Sequence, residues 1–246
     1  MNAPAAIEWR WRSAQQTHRG KHRRHNEDAV LSRTSVGLWV VADGMGGHQA
    51  GEVASQAITT ALAQLPLDGS LGERVDRVED TLLGVNDQLR VHAATRGVGA
   101  TVGSTVVAMI AVAGAAAVLW AGDSRLYRLR DGVLQQVTRD HNPVSDLLDQ
   151  GGVTEAEALA AETNIITRAV GGQQRLHLDV AMFDVAAHDT YLLCSDGLYR
   201  DLGMDELAAM LGGAELGPMA ERLLARCLEG PALDNVSLVV ARPEGA

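Results

Sequence analysis

Apolar runs in this chain repeatedly stop or start on an aspartate, and that recurrence restricts the fold more than any other feature. The tightest case is Leu38-Trp39-Val40-Val41-Ala42, which runs directly into Asp43-Gly44-Met45-Gly46-Gly47-His48. Five apolar residues without alternation make a strand covered on both faces. A helical pattern begins near Gln49. A carboxylate therefore stands where a buried strand stops, on glycine-rich backbone that a ligand can approach closely. Asp123 ends the run Ala115–Ala121 within Gly122-Asp123-Ser124-Arg125. Asp196 ends Tyr191-Leu192-Leu193-Cys194 within Ser195-Asp196-Gly197, and Asp234 opens Val236-Ser237-Leu238-Val239-Val240. One aspartate at a strand end is ordinarily a turn residue. Four of them, each flanking a buried strand, describe a site.

The rest of the chain supplies the frame. Residues 1–12 read as a tail or a first edge strand, with Trp9 and Trp11 alternating with charged residues. Residues 13–28 read as a polar, His/Arg-rich stretch. Short strands at 29–33 and 38–42 with a turn at 34–37 make a hairpin. That hairpin brings Asp28, before its first strand, next to Asp43, after its second. Helices are predicted over about 49–65 and 72–93. Strands follow at 103–112, 115–121, 125–130 and 133–138, the last pair joined by the hairpin signal Asp131-Gly132. Two short helical signals, after Asn142-Pro143 and over 153–157, form an excursion between strands. Strands at 176–185 and 190–194, helices at 204–211 and 218–228, and a last strand at 236–242 complete the order.

Strands come as hairpins and helices as consecutive pairs, which favours antiparallel sheet over alternating βαβ units. Strands buried on both faces imply two sheets packed face to face. The predicted fold is α+β, a four-layer α-β-β-α sandwich, with residues 1–246 as a single domain.

Composition excludes several classes. A net charge of -10 argues against general nucleic-acid affinity. Six Lys or Arg between Arg10 and Arg24, with no acid, read mostly as a solvated basic segment. Cys194 and Cys227 fall at apolar positions and read as buried thiols, not as a disulfide or zinc site. The N-terminal residues lack the pattern of a signal peptide. The longest apolar stretch, 102–121, is broken at Gly114 and reads as two strands, not a membrane span. The expectation is a soluble, cytoplasmic protein.

Clustered carboxylates cannot all stay ionised without a cation. With no His/Cys ligand spacing, all-oxygen ligation suits Mg²⁺ or Mn²⁺. Two such ions can polarise a bridging water and neutralise phosphate oxygens, with Arg23 as a bidentate phosphate clamp. The residues therefore point to metal-assisted phosphoester hydrolysis.

Six motifs occur in order: Arg23-x-x-Asn26-Glu27-Asp28, Asp43-Gly44-Met45-Gly46-Gly47-His48, Gly122-Asp123-Ser124-Arg125, Ile166-Thr167-Arg168-Ala169-Val170-Gly171, Ser195-Asp196-Gly197-Leu198 and Asp234-Asn235. Each alone is weak; together they are specific. Over about residues 15–242 the chain resembles the metal-dependent serine/threonine protein phosphatases (the PPM, or type 2C, family) in compact bacterial form. The resemblance implies that Asp43 bridges two Mn²⁺ or Mg²⁺ ions and that the Gly44 carbonyl ligates one. It implies that Asp196 and Asp234 ligate the other, and that Glu27 and Asp28 hold metal-bound waters. Asp123, with Asp196, would form a third, weaker metal site. Arg23 would bind the substrate phosphate, and His48 is a candidate general acid. Residues 142–168 match the family's mobile flap. Tyr199-Arg200 follow Ser195-Asp196-Gly197-Leu198 where a smaller polar pair is usual, and Asn142 and Ser237 replace commoner Ser and Thr.

The resemblance further implies phosphorylated proteins as partners, either the substrates of a cognate Ser/Thr kinase or the kinase itself. Nucleic acid and membranes are not implied, and the protein would be a monomer. Two other classes stay open. One is a catalytically inactive phosphoprotein-binding module on the same fold, which intact ligands oppose. The other is a different metal-dependent phosphoesterase such as a nuclease, which the acidic surface opposes. Turn capping is the alternative role for the aspartates, a solvated cation for Arg23, and a helix N-terminal polar residue for His48. His18, His22, His25 and His141 read as surface residues.

Overall fold

The computed structural model describes residues 9–46, 50–97, 100–149, 151, 154, 165–213 and 215–244. Two antiparallel sheets lie face to face, with helices against both outer faces. The first sheet has the order β1-β11-β10-β7-β8, formed by β1 (Arg10–His18), β7 (Arg125–Arg130), β8 (Val133–Gln136), β10 (Thr190–Cys194) and β11 (Val236–Glu244). The second has the order β2-β3-β5-β6-β9, formed by β2 (Asp28–Arg33), β3 (Leu38–Met45), β5 (Val106–Val112), β6 (Ala115–Ala121) and β9 (Asp179–Asp184). A short β4 (Gly103–Ser104) extends β5 along the far end of β3. The four-layer sandwich expected from the sequence is the architecture observed.

Three hydrophobic clusters correspond to the three contacts between layers. Alternate residues of one strand divide between them, because successive side chains point to opposite faces. Leu38, Val40 and Ala42 of β3 pack outward with Ile58 and Leu62 of α1 (Ala50–Gln64) and Val78 and Leu82 of α2 (Leu71–Arg96). Trp39 and Val41 face the opposite way, into a layer shared with Leu126, Tyr191, Leu193 and Val239 of the other sheet. On the far side, Leu192, Cys194, Val236 and Leu238 meet Leu223 and Cys227 of the helix Leu216–Glu229. Each fully buried Leu, Val or Trp in these layers contributes about 1.5–3 kcal/mol. The cysteines are buried and free.

Local chemistry sets the boundaries. At the start of α2, Ser70 Oγ accepts the Glu73 N–H, and the Glu73 carboxylate accepts the Ser70 N–H at 2.7 Å. Such a cap is worth about 1 kcal/mol. Four elements depart from the sequence reading. The polar stretch after Arg12 begins as strand: β1 runs on to His18 and pairs along its whole length with β11, from Arg10–Glu244 to His18–Val236. The strand expected at 103–112 is interrupted at Thr105. Its register is continuous, with Val41 opposite Val107 and Gly44 opposite Ser104. The interruption arises because Thr105 Oγ1, in place of a carbonyl, accepts the Asp43 N–H at 3.1 Å. β9 starts at Asp179, three residues later than expected, where pairing with Trp120 begins. A one-turn helix, Asp196–Tyr199, was not visible in the sequence pattern. Pro143–Asp149 is helical as expected, whereas the helical signal over 153–157 lies outside the described residues except for Thr154. Counting in order, Pro143–Asp149 is α3, Asp196–Tyr199 α4, Met204–Leu211 α5 and Leu216–Glu229 α6.

Candidate metal centre and active site

The aspartates converge because strands of both sheets end at one rim of the sandwich. In the β2–β3 ladder Asp28 stands directly opposite Asp43, as the hairpin predicted. Asp123 follows β6 and precedes β7, where the chain crosses from one sheet to the other. Asp196 follows β10, and Asp234 precedes β11, its neighbour in the first sheet. Asp43 feels the other four: Asp28, Asp196, Asp123 and Asp234 all push its carboxyl upward.

The backbone is built to hold this crowding. The Asp43 carbonyl accepts the Thr105 N–H at 2.8 Å and the Ser104 hydroxyl at 2.9 Å. Gly44 N–H donates to the Glu27 carbonyl at 3.1 Å. A Cβ on Gly44 would lie 2.1 Å from the Gly51 carbonyl oxygen and 2.4 Å from that of Glu27. Only glycine therefore allows α1 and the backbone just before β2 to close on the residue after Asp43. Ser195 Oγ donates to Asp28 Oδ2 at 2.8 Å and accepts the Ser237 N–H at 3.0 Å, so Asp28 is oriented from the opposite sheet.

Electrostatics gives the cluster its chemical character. Burial raises Asp43 well above the usual carboxylate range, with the neighbouring aspartates adding to it. Burial likewise raises Asp28, opposed by hydrogen bonds from Ser237 and Ser195. Asp123 is pushed up to about 7 by burial, then by Asp196 and Asp140. Burial also raises Asp196, with Arg200 opposing it. At about 1.4 kcal/mol per pKa unit, a carboxylate held ionised at neutral pH here carries a cost of a few kcal/mol. A cation offsets it.

The donor set fits a hard divalent ion. It is all oxygen, and Asp28 Oδ1, Asp123 Oδ1 and Asp196 Oδ1 are buried with no hydrogen-bond partner. Among the described residues, no three Asp, Glu, His or Cys side chains converge on one point as they stand. Arginines meet part of the charge instead. Arg23 Nη2 lies 2.7 Å from Asp234 Oδ2, and Arg200 Nη2 lies 2.9 Å from Asp196 Oδ2. Arg23 is half-exposed at the rim. Glu27 is half-buried beside it, its N–H bonded to Asn235 Oδ1 at 2.8 Å and its carbonyl to Ser55 Oγ at 2.6 Å.

Three contributors escaped the sequence reading. Asn235 is buried and holds the loop before β2, its amide donating to the carbonyls of Arg19 at 3.0 Å and His25 at 2.9 Å. The signal was present, since Asn235 stands in the Asp234-Asn235 motif, but nothing local tells which backbone it binds. Ser195 orients Asp28 across the two sheets, and Arg200 reaches Asp196. His48 lies outside the described residues. His141 is not a surface residue. It is 4% exposed and stacks on Trp120 at 6.0 Å. Its Nδ1 accepts the Gly122 N–H, and its Nε2 lies 3.1 Å from Asp179 Oδ2. Arg168 Nη1 joins Asp179 at 2.6 Å, anchoring the end of the 142–168 segment to β9.

A family model described as protein phosphatase 2C matches residues 15–229. The chain belongs to the protein phosphatase 2C family. Within this family, the serine/threonine protein phosphatase PstP of Mycobacterium tuberculosis is 36% identical over 94% of this chain and 44% of PstP. The chain thus spans less than half the length of that curated relative. PppA, a key regulatory component of T6SS in Pseudomonas aeruginosa, is similar in structure. It is 41% identical over 97% of this chain and 99% of that one, with a TM-score of 0.88. The catalytic domain of PstP in complex with two manganese ions is 35% identical over 96% of this chain and 99% of that one, with a TM-score of 0.84. No helix among the described residues is long and apolar enough to cross a membrane.

Proposed function

We propose that this chain hydrolyses phosphoserine and phosphothreonine in proteins with two Mn²⁺ or Mg²⁺ ions held at the acidic rim. The observation that supports the reading is that Asp28, Asp43, Asp123, Asp196 and Asp234 stand along one rim and that Asp28, Asp123 and Asp196 each keep a buried oxygen with no hydrogen-bond partner. Asp43, the Gly44 carbonyl, Asp196 and Asp234 would hold the two ions, with Asp43 as the residue common to both. When bound, the ions supply an activated water and neutralise phosphate oxygens. Glu27 and Asp28 orient water beside them, and the Ser195 hydroxyl fixes the Asp28 carboxylate in that task. Arg23 exchanges Asp234 for the incoming phosphate, for which a guanidinium fork is suited. Asp123 and Asp196 form a third cation position. His48, outside the described residues, is the candidate proton donor to the leaving alkoxide.

Support for this reading over a nuclease comes from the net charge of -10 and from the phosphatase relatives. The partners are phosphorylated proteins, the substrates of a Ser/Thr kinase or the kinase itself, with the 142–168 segment as a flap that shapes peptide access. The protein acts as a monomeric single domain in the cytoplasm, where its two buried free thiols stay reduced. The test is phosphate release from a phosphothreonine peptide with Mn²⁺, with Mg²⁺ and with chelator. Turnover with either ion and none with chelator is the expected result. Binding of the peptide without turnover would make the chain an inactive binding module instead.

A further inference from the structure

Arg200 is the first residue after the one-turn helix α4, and its N–H still donates to the Asp196 carbonyl at 3.0 Å. One helical turn therefore returns its side chain over Asp196. Arg200 Nη2 lies 2.9 Å from Asp196 Oδ2 and 3.6 Å from Asp123 Oδ2. A single cationic nitrogen thus sits between carboxylates delivered by different sheets. Both acids are nearly closed off from water, with side chains 7% and 11% exposed, so this is not an ordinary surface ion pair. Each acid also keeps a buried Oδ1 with no partner.

The platform under Arg200 is rigid. The neighbouring Tyr199 hydroxyl donates to the Asp123 carbonyl at 3.0 Å. The Arg125 guanidinium lies 3.5 Å from the centre of the Tyr199 ring and is fixed by Asp140 at 2.9 and 2.7 Å. Tyr199 and Arg200 are the two residues at which this chain departs from the small polar pair usual in the motif. Both departures act on Asp123, one through its backbone and one through its carboxylate.

We propose that Arg200 is a tethered cation occupying the third cation position, so that a third divalent ion binds only by displacing it. The assignment rests on the two-metal reading above. A group attached to the same helix has an effective concentration far above that of free metal. It also cannot be removed by a chelator. Ions at Asp43 and Asp234 do not require it to move, because its contacts are to Asp123 and one oxygen of Asp196. The protein then takes two ions tightly and a third weakly.

The experiment is Mn²⁺ binding to the chelator-treated full chain, counting free ion by electron paramagnetic resonance. Wild type is compared with Arg200→Gln, which keeps length without charge, with Arg200→Ala, and with Asp123→Asn/Arg200→Gln. Thermal melts confirm that each variant is folded. Phosphate release from a phosphopeptide is measured in parallel. The expected result is a third ion bound about tenfold or more tightly in either single variant, the scale of one charge-assisted hydrogen bond. The double variant should lose that gain. A wild type that releases phosphate but binds its third ion as tightly as Arg200→Gln overturns the assignment and leaves hydrolysis standing. A wild type that binds no pair of ions overturns both.

Discussion

Arg23 and Arg24 are adjacent in a basic run, and composition alone cannot separate them. Their positions do. Both are exposed, but Arg23 donates to Asp234 at 2.7 Å across 211 residues of sequence. Arg23→Ala should raise KM for a phosphopeptide about tenfold, the value of one charged hydrogen bond, with little change in tight Mn²⁺ binding. Arg24→Ala should stay within about twofold. A larger KM effect at Arg24 would place the clamp one residue on. Asp43 makes a sharper prediction, because on the proposed reading its carboxylate would be shared between the ions. Asp43→Asn should lower kcat/KM by at least about 100-fold, more than the loss of an outer-sphere partner costs. It should also remove tight Mn²⁺ binding; full activity at limiting metal would sink the role given to Asp43. These residues were legible because each stands at a recognisable strand end or in a motif. Arg200 was legible only as an unusual letter, since its contact with Asp123 depends on a crossing between sheets.

At the scale of elements, the hairpin β2–β3 followed directly from apolar runs separated by a short turn, and it paired Asp28 with Asp43 as expected. The first strand followed only in part: the alternation of Trp9 and Trp11 marked its start, but beyond Arg12 it carries Ser, Gln, Thr and His and pairs with a single neighbour, so residues 13–18 read as a polar loop. Edge strands need only one packed face, which leaves half of the pattern free to be polar. The loop after β1 depends on Asn235, which binds the Glu27 N–H and the carbonyls of Arg19 and His25 at 2.8, 3.0 and 2.9 Å. Asn235→Ala leaves three part-buried backbone groups without that partner, at about 1–3 kcal/mol for each that water fails to reach. We expect a Tm lower by several degrees and a raised KM, because the loop that aims Arg23 loosens. A variant with wild-type Tm and KM would show that the loop holds its shape without this anchor.

At the scale of the whole molecule, two sheets with largely apolar faces deliver acids of the same sign to one rim, and hydrophobic packing sustains what electrostatics opposes. The consequence is a stability that depends on pH and metal together. Asp123 is raised to about 7 by burial, then by Asp196 and Asp140, and Asp28, Asp43 and Asp196 are raised for the same leading reason. A raised carboxyl holds its proton more firmly in the folded state than in the unfolded chain. Its stabilising contribution is therefore complete below the unfolded value, near 4, and is lost as pH rises toward about 7. Metal reverses that loss, because Mn²⁺ needs the ionised acids and competes with protons for them. The rise in Tm on adding Mn²⁺ should thus be small near pH 5 and large near pH 7.5. Saturating a site at about 100 times its Kd adds about 2.7 kcal/mol, which for a chain of this size corresponds to about 5–10 °C. Melts with Mn²⁺ and with chelator across that range provide the check. A rise in Tm that is the same at both ends, or greater at pH 5, would mean that the clustered aspartates are not where the ions bind.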